Sequence, residues 1–287
     1  MRLLVFGRTG QVARELERRL PARWEAVFLD RASADLSDPE ACARIVASAK
    51  AEAIINAAAW SDVDGAEAHE AEAHVVNAEA PTAMARAAAT RGLPFLHVSS
   101  DYVFDGTGQN PWRETDPTGP LSAYGRTKVA GEEAIRVAGG AHVILRTSWI
   151  FSAHGKNFLK TMLRLSETRD SLSIVADQIG GPTPASAIAE ALLTMAERLV
   201  GESTLSGTYH FAGAPDVTWA DFARDIFRNA GRRVTVEGIA SSAYPTSVQR
   251  PPNSRLDCSL ICERFGIKRP DWQLAVKETI EDLGVEK

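Results

Sequence analysis

Along the first half of the chain, short unbroken apolar runs alternate with segments whose apolar residues recur every three or four positions. The runs are RLLVFG (2–7), EAVFLD (25–30), AEAIINAAA (51–59), PFLHVSS (94–100) and AHVILRTS (141–148). Runs this short and this continuous predict strands buried on both faces. Helical periodicity marks residues 10–20, a segment running from Ser37 to about Lys50, the alanine-rich stretch 65–92, and a segment opening near Tyr124. Ser37 with Glu40 three residues later has the spacing of a capping box, so Ser37 is the expected N-cap. Gly139-Gly140 is placed to close the Tyr124 helix. The alternation predicts an α/β fold: a Rossmann-type doubly wound parallel sheet covered by helices on both faces.

After Trp149 the rhythm changes. Helices are expected at about 156–168 and 184–200, and GTYHFAG (207–213) as a late strand returning to the sheet. Residues 214–287 read as short helices and loops. The expected division is a sheet domain over 1–149, with 183–213 returning to it. Residues 150–182 and 214–287 then form a smaller C-terminal α/β lobe over the carboxyl edge of the sheet.

Composition narrows the function. With 287 residues the chain is long enough for two lobes around one site. A net charge of −5 argues against a nucleic-acid partner, which needs a basic face. No apolar run approaches the ~20 residues of a membrane span, and the N-terminal run breaks at a glycine turn, unlike a signal peptide. Cys42, Cys258 and Cys262 are too few and too scattered for a disulfide framework, which points to a reducing cytoplasm. Cys258 and Cys262 lack a second ligand pair, and the six histidines form no metal-binding pattern, so no metal is expected.

VFGRTGQVA sets Gly7, Gly10 and Ala13 directly after the first strand, at the opening of a helix. Gly7 permits a tight turn, Gly10 clears space for a pyrophosphate, and Ala13 lets the helix pack on the strand. The helix N-terminus offers N–H groups and partial positive charge to phosphates. Asp30, twenty residues past Gly10 at the end of the second strand, suits a ribose hydroxyl. Asp30 would repel a 2′-phosphate, while Arg8 and Arg31 would pair with one, so NADPH and NADH both fit. Asp35-Leu36 falls where an adenine would rest. Ala57-Ala58-Ala59 would let a cofactor lie against the backbone, although plain helix–sheet packing also explains it.

Tyr124 and Lys128 stand four apart at the start of a helix, on one face. Taken alone, such a pair is a solvated surface feature. Beside a dinucleotide site it reads as a phenol whose proton is eased off by an ammonium. Ser99-Ser100-Asp101 ends the fourth strand, at the sheet edge where reactive groups gather. The expected chemistry is carbonyl reduction, with Tyr124 protonating the oxygen, Ser100 bonding it, and Lys128 lowering the phenol pKa and bonding the nicotinamide ribose.

FGRTGQVA, NAAAWSDVDGAE, SSDYVFDGTGQNPWRETDPTGPLSAYGRTKVAGE, LRTSWIF, NFLKTML, DQIGGPT and RPPNSRLD cover much of the chain. With them it resembles the extended short-chain dehydrogenase/reductase superfamily and, within that, the dTDP-4-dehydrorhamnose reductase family. The resemblance implies reduction of the 4-keto group of a dTDP-6-deoxy-hexose, with a dTDP-sugar as the partner and the enzyme a monomer or homodimer. It places Gly10, Gln11, Val12, Asp30, Asp35, Leu36, Ala59, Trp60, Ser61, Val98, Tyr124 and Lys128 at cofactor positions. It places Ser100, Asp101 and Trp149 at substrate positions, and Asn253 and Arg255 are attractive for the diphosphate. Some members bind Mg²⁺ through glutamates at a dimer contact. Glu15 matches one of these, but Ser186 and Asp282 stand at the other two, so Mg²⁺ is not assigned. Two other readings stay open: a nucleotide-sugar epimerase of the same superfamily, and a non-catalytic regulatory subunit of methionine adenosyltransferase. A dehydratase reading lacks its second carboxylate, because Tyr102 follows Asp101.

Overall fold

Strand β1 (Arg2–Phe6) shows why the apolar runs are unbroken. Leu3 and Val5 enter one core, with Val12, Ala13 and Leu16. Leu4 and Phe6 enter another, with Val46, Met84 and Ile135. Side chains alternate along a strand, so a strand with a core on each side needs no polar positions. The computed structural model describes residues 1–246 and 248–285. In it β1, β2 (Glu25–Leu29), β3 (Ala53–Asn56), β4 (Phe95–Ser100), β5 (His142–Thr147) and the closing strand Gly207–His210 form one six-stranded sheet. Every pairing in it is parallel. From one edge the order is β2, β1, β3, β4, β5, Gly207–His210. The crossovers reverse direction between β1 and β3, the switch point where such sheets bind ligands at their carboxyl ends.

Helix α1 (Gln11–Arg19) and the helix Ala185–Gly201 cover one face. The other face carries α2 (Pro39–Ser48), α5 (Ala80–Thr90) and α6 (Ala123–Ala138). The N-cap of α2 is Asp38, not Ser37: its carboxylate accepts from the Ala41 N–H, and Pro39 takes the first helical position. Proline needs no N–H there and its φ is already helical, which moves the cap one residue along. Stretch 65–92 is not one helix. It divides into α3 (Val63–Ala68), α4 (Glu70–His74), a π-helical turn Val75–Glu79, and α5. The cause lies at Asn77, which is fully buried in the π turn. Its amide spans Trp60 N, Trp60 O and Thr127 Oγ1, and these bonds hold the widened turn against α6. Gly139, at φ +72°, closes α6.

The C-terminal residues are more regular than their sequence suggests. Ser171–Val175 and Thr235–Ile239 pair as parallel strands. Trp219–Asn229 and Trp272–Asp282 are helices of 11 residues each, not short ones. Phe151, Phe222, Trp272 and Ile280 form the core of this part. Gln11 clamps it to the sheet: its Oε1 accepts from Ser152 Oγ at 2.9 Å and from Asn157 Nδ2 at 2.8 Å.

Glu15, 3 % exposed, is held by the guanidinium groups of Arg18 and Arg19, and Arg18 reaches on to Asp282 at 2.8 Å. Guanidinium groups thus hold the carboxylate that the family resemblance offers to Mg²⁺. A divalent cation would be repelled by them, and the residues present do not fit it.

Candidate active site

A cavity of about 960 Å³ opens along the carboxyl ends of the sheet strands. Its wall includes Gly7, Gly10, Gln11, Val12, Asp30, Asp35, Leu36, Ala59, Trp60, Ser61 and Val98. It also includes Ser100, Asp101, Tyr124, Lys128 and Trp149. Residues from 7 to 149 of the chain therefore meet in one space.

The dinucleotide-type turn is tight. Gly7 sits at φ +101°, and a Cβ there would come within 2.9 Å of Ala58 N. Only glycine fits such a turn against the alanine run that follows β3. A Cβ on Gly10 would lie 3.2 Å from Gly7 O. Gly10 is the N-cap of α1 and makes no side-chain cap bond, so the first N–H groups of the helix are free of a side-chain partner. This cradle suits a dinucleotide pyrophosphate. At the second strand Asp30 accepts from Ser33 N at 2.9 Å and Ser33 Oγ at 2.7 Å, which holds its carboxyl below the usual range. Arg31 bonds Asp35 at 3.3 Å, and Arg8 lies 3.8 Å from Glu17.

The reactive groups come from β4 and α6. Ser122 caps α6 by accepting from the Gly125 N–H, and this starts the helix so that Tyr124 and Lys128 share its cavity face. The close approach of α6 is made by two glycines. A Cβ on Gly125 would meet Tyr102 O at 2.3 Å, and one on Gly131 would meet Asn77 O at 2.2 Å. Burial pushes the Tyr124 phenol up to about 12, with its hydrogen bond to Ser100 opposing and the Asp101 charge adding to the rise. The sequence reading expects Lys128 to lower this group. The ammonium nitrogen is turned elsewhere, 3.0 Å from His97 Nε2 and donating to Val98 O at 2.8 Å. Burial brings Lys128 itself down to about 8, against the pull of Glu132 one turn on.

Ser100 Oγ donates to Asp101 Oδ1 at 3.1 Å and accepts from the Tyr102 N–H at 3.2 Å. Asp101 is 3 % exposed, and its Oδ2 makes no hydrogen bond among the described residues. Burial raises its carboxyl to about 6, with Ser254 and Ser100 opposing. Below this group, Glu132 is fully buried and takes two bonds from Arg146, at 2.9 and 2.6 Å, and one from Ser99 Oγ at 2.6 Å. Burial acts to raise Glu132, but Arg146, Ser99 and Arg136 together outweigh it and hold the carboxyl low. The Glu132–Arg146 pair pins α6 to β4 and β5.

Trp149 has φ +48°, unusual for a residue with a side chain. Its ring stacks on Trp219 with centroids 3.6 Å apart. A Cβ on Gly180 would come within 2.8 Å of that ring. Trp219 and Arg250 line the cavity and were missed in the sequence. Arg250 bonds Asp64 of α3 at 3.0 Å, and its Nε is buried with no partner among the described residues. The proline-rich segment around Arg250 was the available signal, since it holds several basic and polar residues in a loop. The guanidinium singled out from it, Arg255, lies elsewhere: it bonds Asn253 Oδ1 at 2.8 Å, and neither residue is in the cavity wall. Asn56 and His97 were also missed. Asn56 ends the apolar strand β3 and His97 interrupts the apolar start of β4, and these polar residues among apolar ones were the signal.

The family model described as RmlD substrate binding domain matches residues 1–285. A dTDP-4-dehydrorhamnose reductase of Burkholderia thailandensis is 46% identical over 99% of both chains. Among solved structures, a dTDP-4-dehydrorhamnose reductase of Clostridium acetobutylicum superposes with a TM-score of 0.92 at 33% identity, over 99% of this chain and 100% of that one. One from Bacillus anthracis, in complex with NADP, gives 0.91 at 29%, over 98% and 99%. A match of this extent means that the chain belongs to the RmlD substrate binding domain family, that of the dTDP-4-dehydrorhamnose reductases.

Proposed function

We propose that this chain reduces the 4-keto group of dTDP-4-dehydro-L-rhamnose to the alcohol of dTDP-L-rhamnose, using NADPH or NADH. The observation that carries the reading is the meeting of Ser100, Tyr124 and Lys128 with the Gly7–Gly10 turn in one cavity. The Gly7–Gly10 turn and Asp30 would hold a reduced nicotinamide dinucleotide, which when bound would supply hydride for the carbonyl carbon. The chain's own residues handle the proton. A phenol raised to about 12 keeps its proton at neutral pH, and gives it up to an alkoxide, which is far more basic. Ser100 orients that phenol and bonds the same oxygen. Asp101 Oδ2 takes a sugar hydroxyl. Trp149, backed by Trp219, gives an apolar face to the sugar or the thymine. Arg250 takes the diphosphate, where a guanidinium bonds two oxygens at once.

In this reading residues 1–149 and 183–213 serve the cofactor, and 150–182 and 214–287 serve the substrate. No helix among the described residues is long and apolar enough to cross a membrane. We place the enzyme in the cytoplasm, where its three cysteines stay as thiols.

The test supplies purified protein with dTDP-4-dehydro-L-rhamnose and either reduced nicotinamide. The expected result is loss of the dihydronicotinamide absorbance in step with formation of dTDP-L-rhamnose. No oxidation with either cofactor would reject the assignment.

A further inference from the structure

Beneath Lys128 lies a buried polar chain that the proposed reduction leaves without a role. Asn56 and His97 are fully buried, and Lys128 is 1 % exposed. The Ala58 N–H donates to Asn56 Oδ1 at 3.1 Å. A main-chain N–H has only one polarity, so it settles which way the Asn56 amide points. Asn56 Nδ2 then faces His97 Nδ1 at 3.1 Å and donates to it. A neutral imidazole that accepts at Nδ1 carries its proton on Nε2. That N–H meets Lys128 Nζ at 3.0 Å. An ammonium has three donors and no acceptor, so the contact closes only if Nζ offers a lone pair. Lys128 uses one N–H for Val98 O at 2.8 Å.

We propose that His97, locked by Asn56 with its proton on Nε2, is a positioning residue that favours the neutral amine of Lys128 over its ammonium, so that the ammonium gives up its proton more readily. The proposal rests on the reading of Lys128 as part of the reductase site. The groups around Lys128 agree with it. From β4 comes His97, driven well below its ordinary pKa by burial and then by Lys128, so the imidazole stays neutral. From α6 come Tyr124, which keeps its proton, and Glu132, the nearby anion that favours an ammonium. Glu132 is itself occupied by Arg146 and Arg136. From the π turn Asn77 reaches α6 and bonds Thr127, while Glu79 of the same turn is exposed. The orientation of one amide, Asn56, thus sets where Lys128 gains and loses its proton, and with it the alkaline limit of the reaction.

The first measurement needs no variant. Nitrogen NMR of the native protein with isotope-labelled histidine and lysine, free of substrate and cofactor, should show His97 protonated on Nε2 and Lys128 titrating well below an ordinary lysine. The second uses Asn56→Asp. A carboxylate still accepts from Ala58, but it also demands a proton on His97 Nδ1. Nε2 then becomes an acceptor, which favours the ammonium. The Lys128 titration should rise by about one unit or more, and the alkaline limb of kcat/KM should move up with it. Rescue toward the native profile is expected from restoring the amide only. A native His97 protonated on Nδ1 overturns the proposal, as does an Asn56→Asp titration that superimposes on the native one. If Asn56→Asp does not fold, the native tautomer decides alone. A failed reductase assay would leave the NMR result standing, so the two readings fail separately.

Discussion

One wall of the cavity, with Gly7, Gly10 and Asp30, comes from a single strand–turn–helix–strand unit, while the facing wall, with Trp149, Trp219 and Arg250, is gathered from three separate segments. The first is built mainly of backbone, where a Cβ at Gly7 would strike Ala58. The second is built of side chains held by an aromatic stack and by the Asp64–Arg250 pair. A backbone wall fixes one ligand shape that many enzymes share. A side-chain wall can be changed residue by residue, and the proposed function puts the choice of sugar nucleotide there. Between them run Ser100, Asp101, Tyr124 and Lys128, which belong to neither wall and to which the proposed reduction gives the chemistry.

If that division is right, the largest effect comes from the seam. Tyr124→Phe is expected to cut kcat by ~10²-fold or more, with nicotinamide affinity by fluorescence titration near native. Turnover close to native would move the proton to another donor. Asp101 tests the seam through stability. Its folded value of about 6 lies above the ordinary 3.8, so burial favours the neutral acid. The linked stability is complete below the unfolded value and is lost as the pH rises through about 6. Asp101→Asn cannot ionise. Its stability relative to the native protein should therefore grow by on the order of 3 kcal/mol between acid and alkaline solution, read by denaturant unfolding on both sides of that range. A difference that does not change with pH would place the carboxyl in a solvated site. The smallest effect is expected on the side-chain wall. Arg250→Ala should raise KM for the sugar nucleotide by roughly tenfold, the loss of a charged hydrogen bond, while kcat and nicotinamide affinity stay near native. An unchanged KM would return the diphosphate to a different group.

The same division explains what could be read in advance. Gly7, Gly10 and Asp30 are tied by a turn and a strand, and Tyr124 and Lys128 by a helix face, so local spacing announces each set, and the parallel sheet brings the two sets to one edge. Trp219 and Arg250 reach the cavity only through tertiary packing of the C-terminal part, and no local spacing announces it. Arg255, chosen for its charge, spends that charge on Asn253. The capping box at Ser37 failed because two rules competed, and proline at the first helical position prevailed at Asp38. The strand Ser171–Val175 was missed because Ser171 and Ser173 alternate with apolar residues over a length too short to separate from loop. The break in 65–92 depended on Asn77 finding partners at 60 and 127, which no window of sequence contains.

The closing strand Gly207–His210 pairs with β5 only after the whole intervening segment has been made. A chain leaving the ribosome therefore carries β5, with its apolar core HVIL, as an open edge for several seconds of synthesis. An open apolar edge is a template for pairing with another chain. Truncations ending before residue 207 inherit that edge permanently, and poor solubility in such fragments would follow from the order of synthesis rather than from any weakness in the finished sheet.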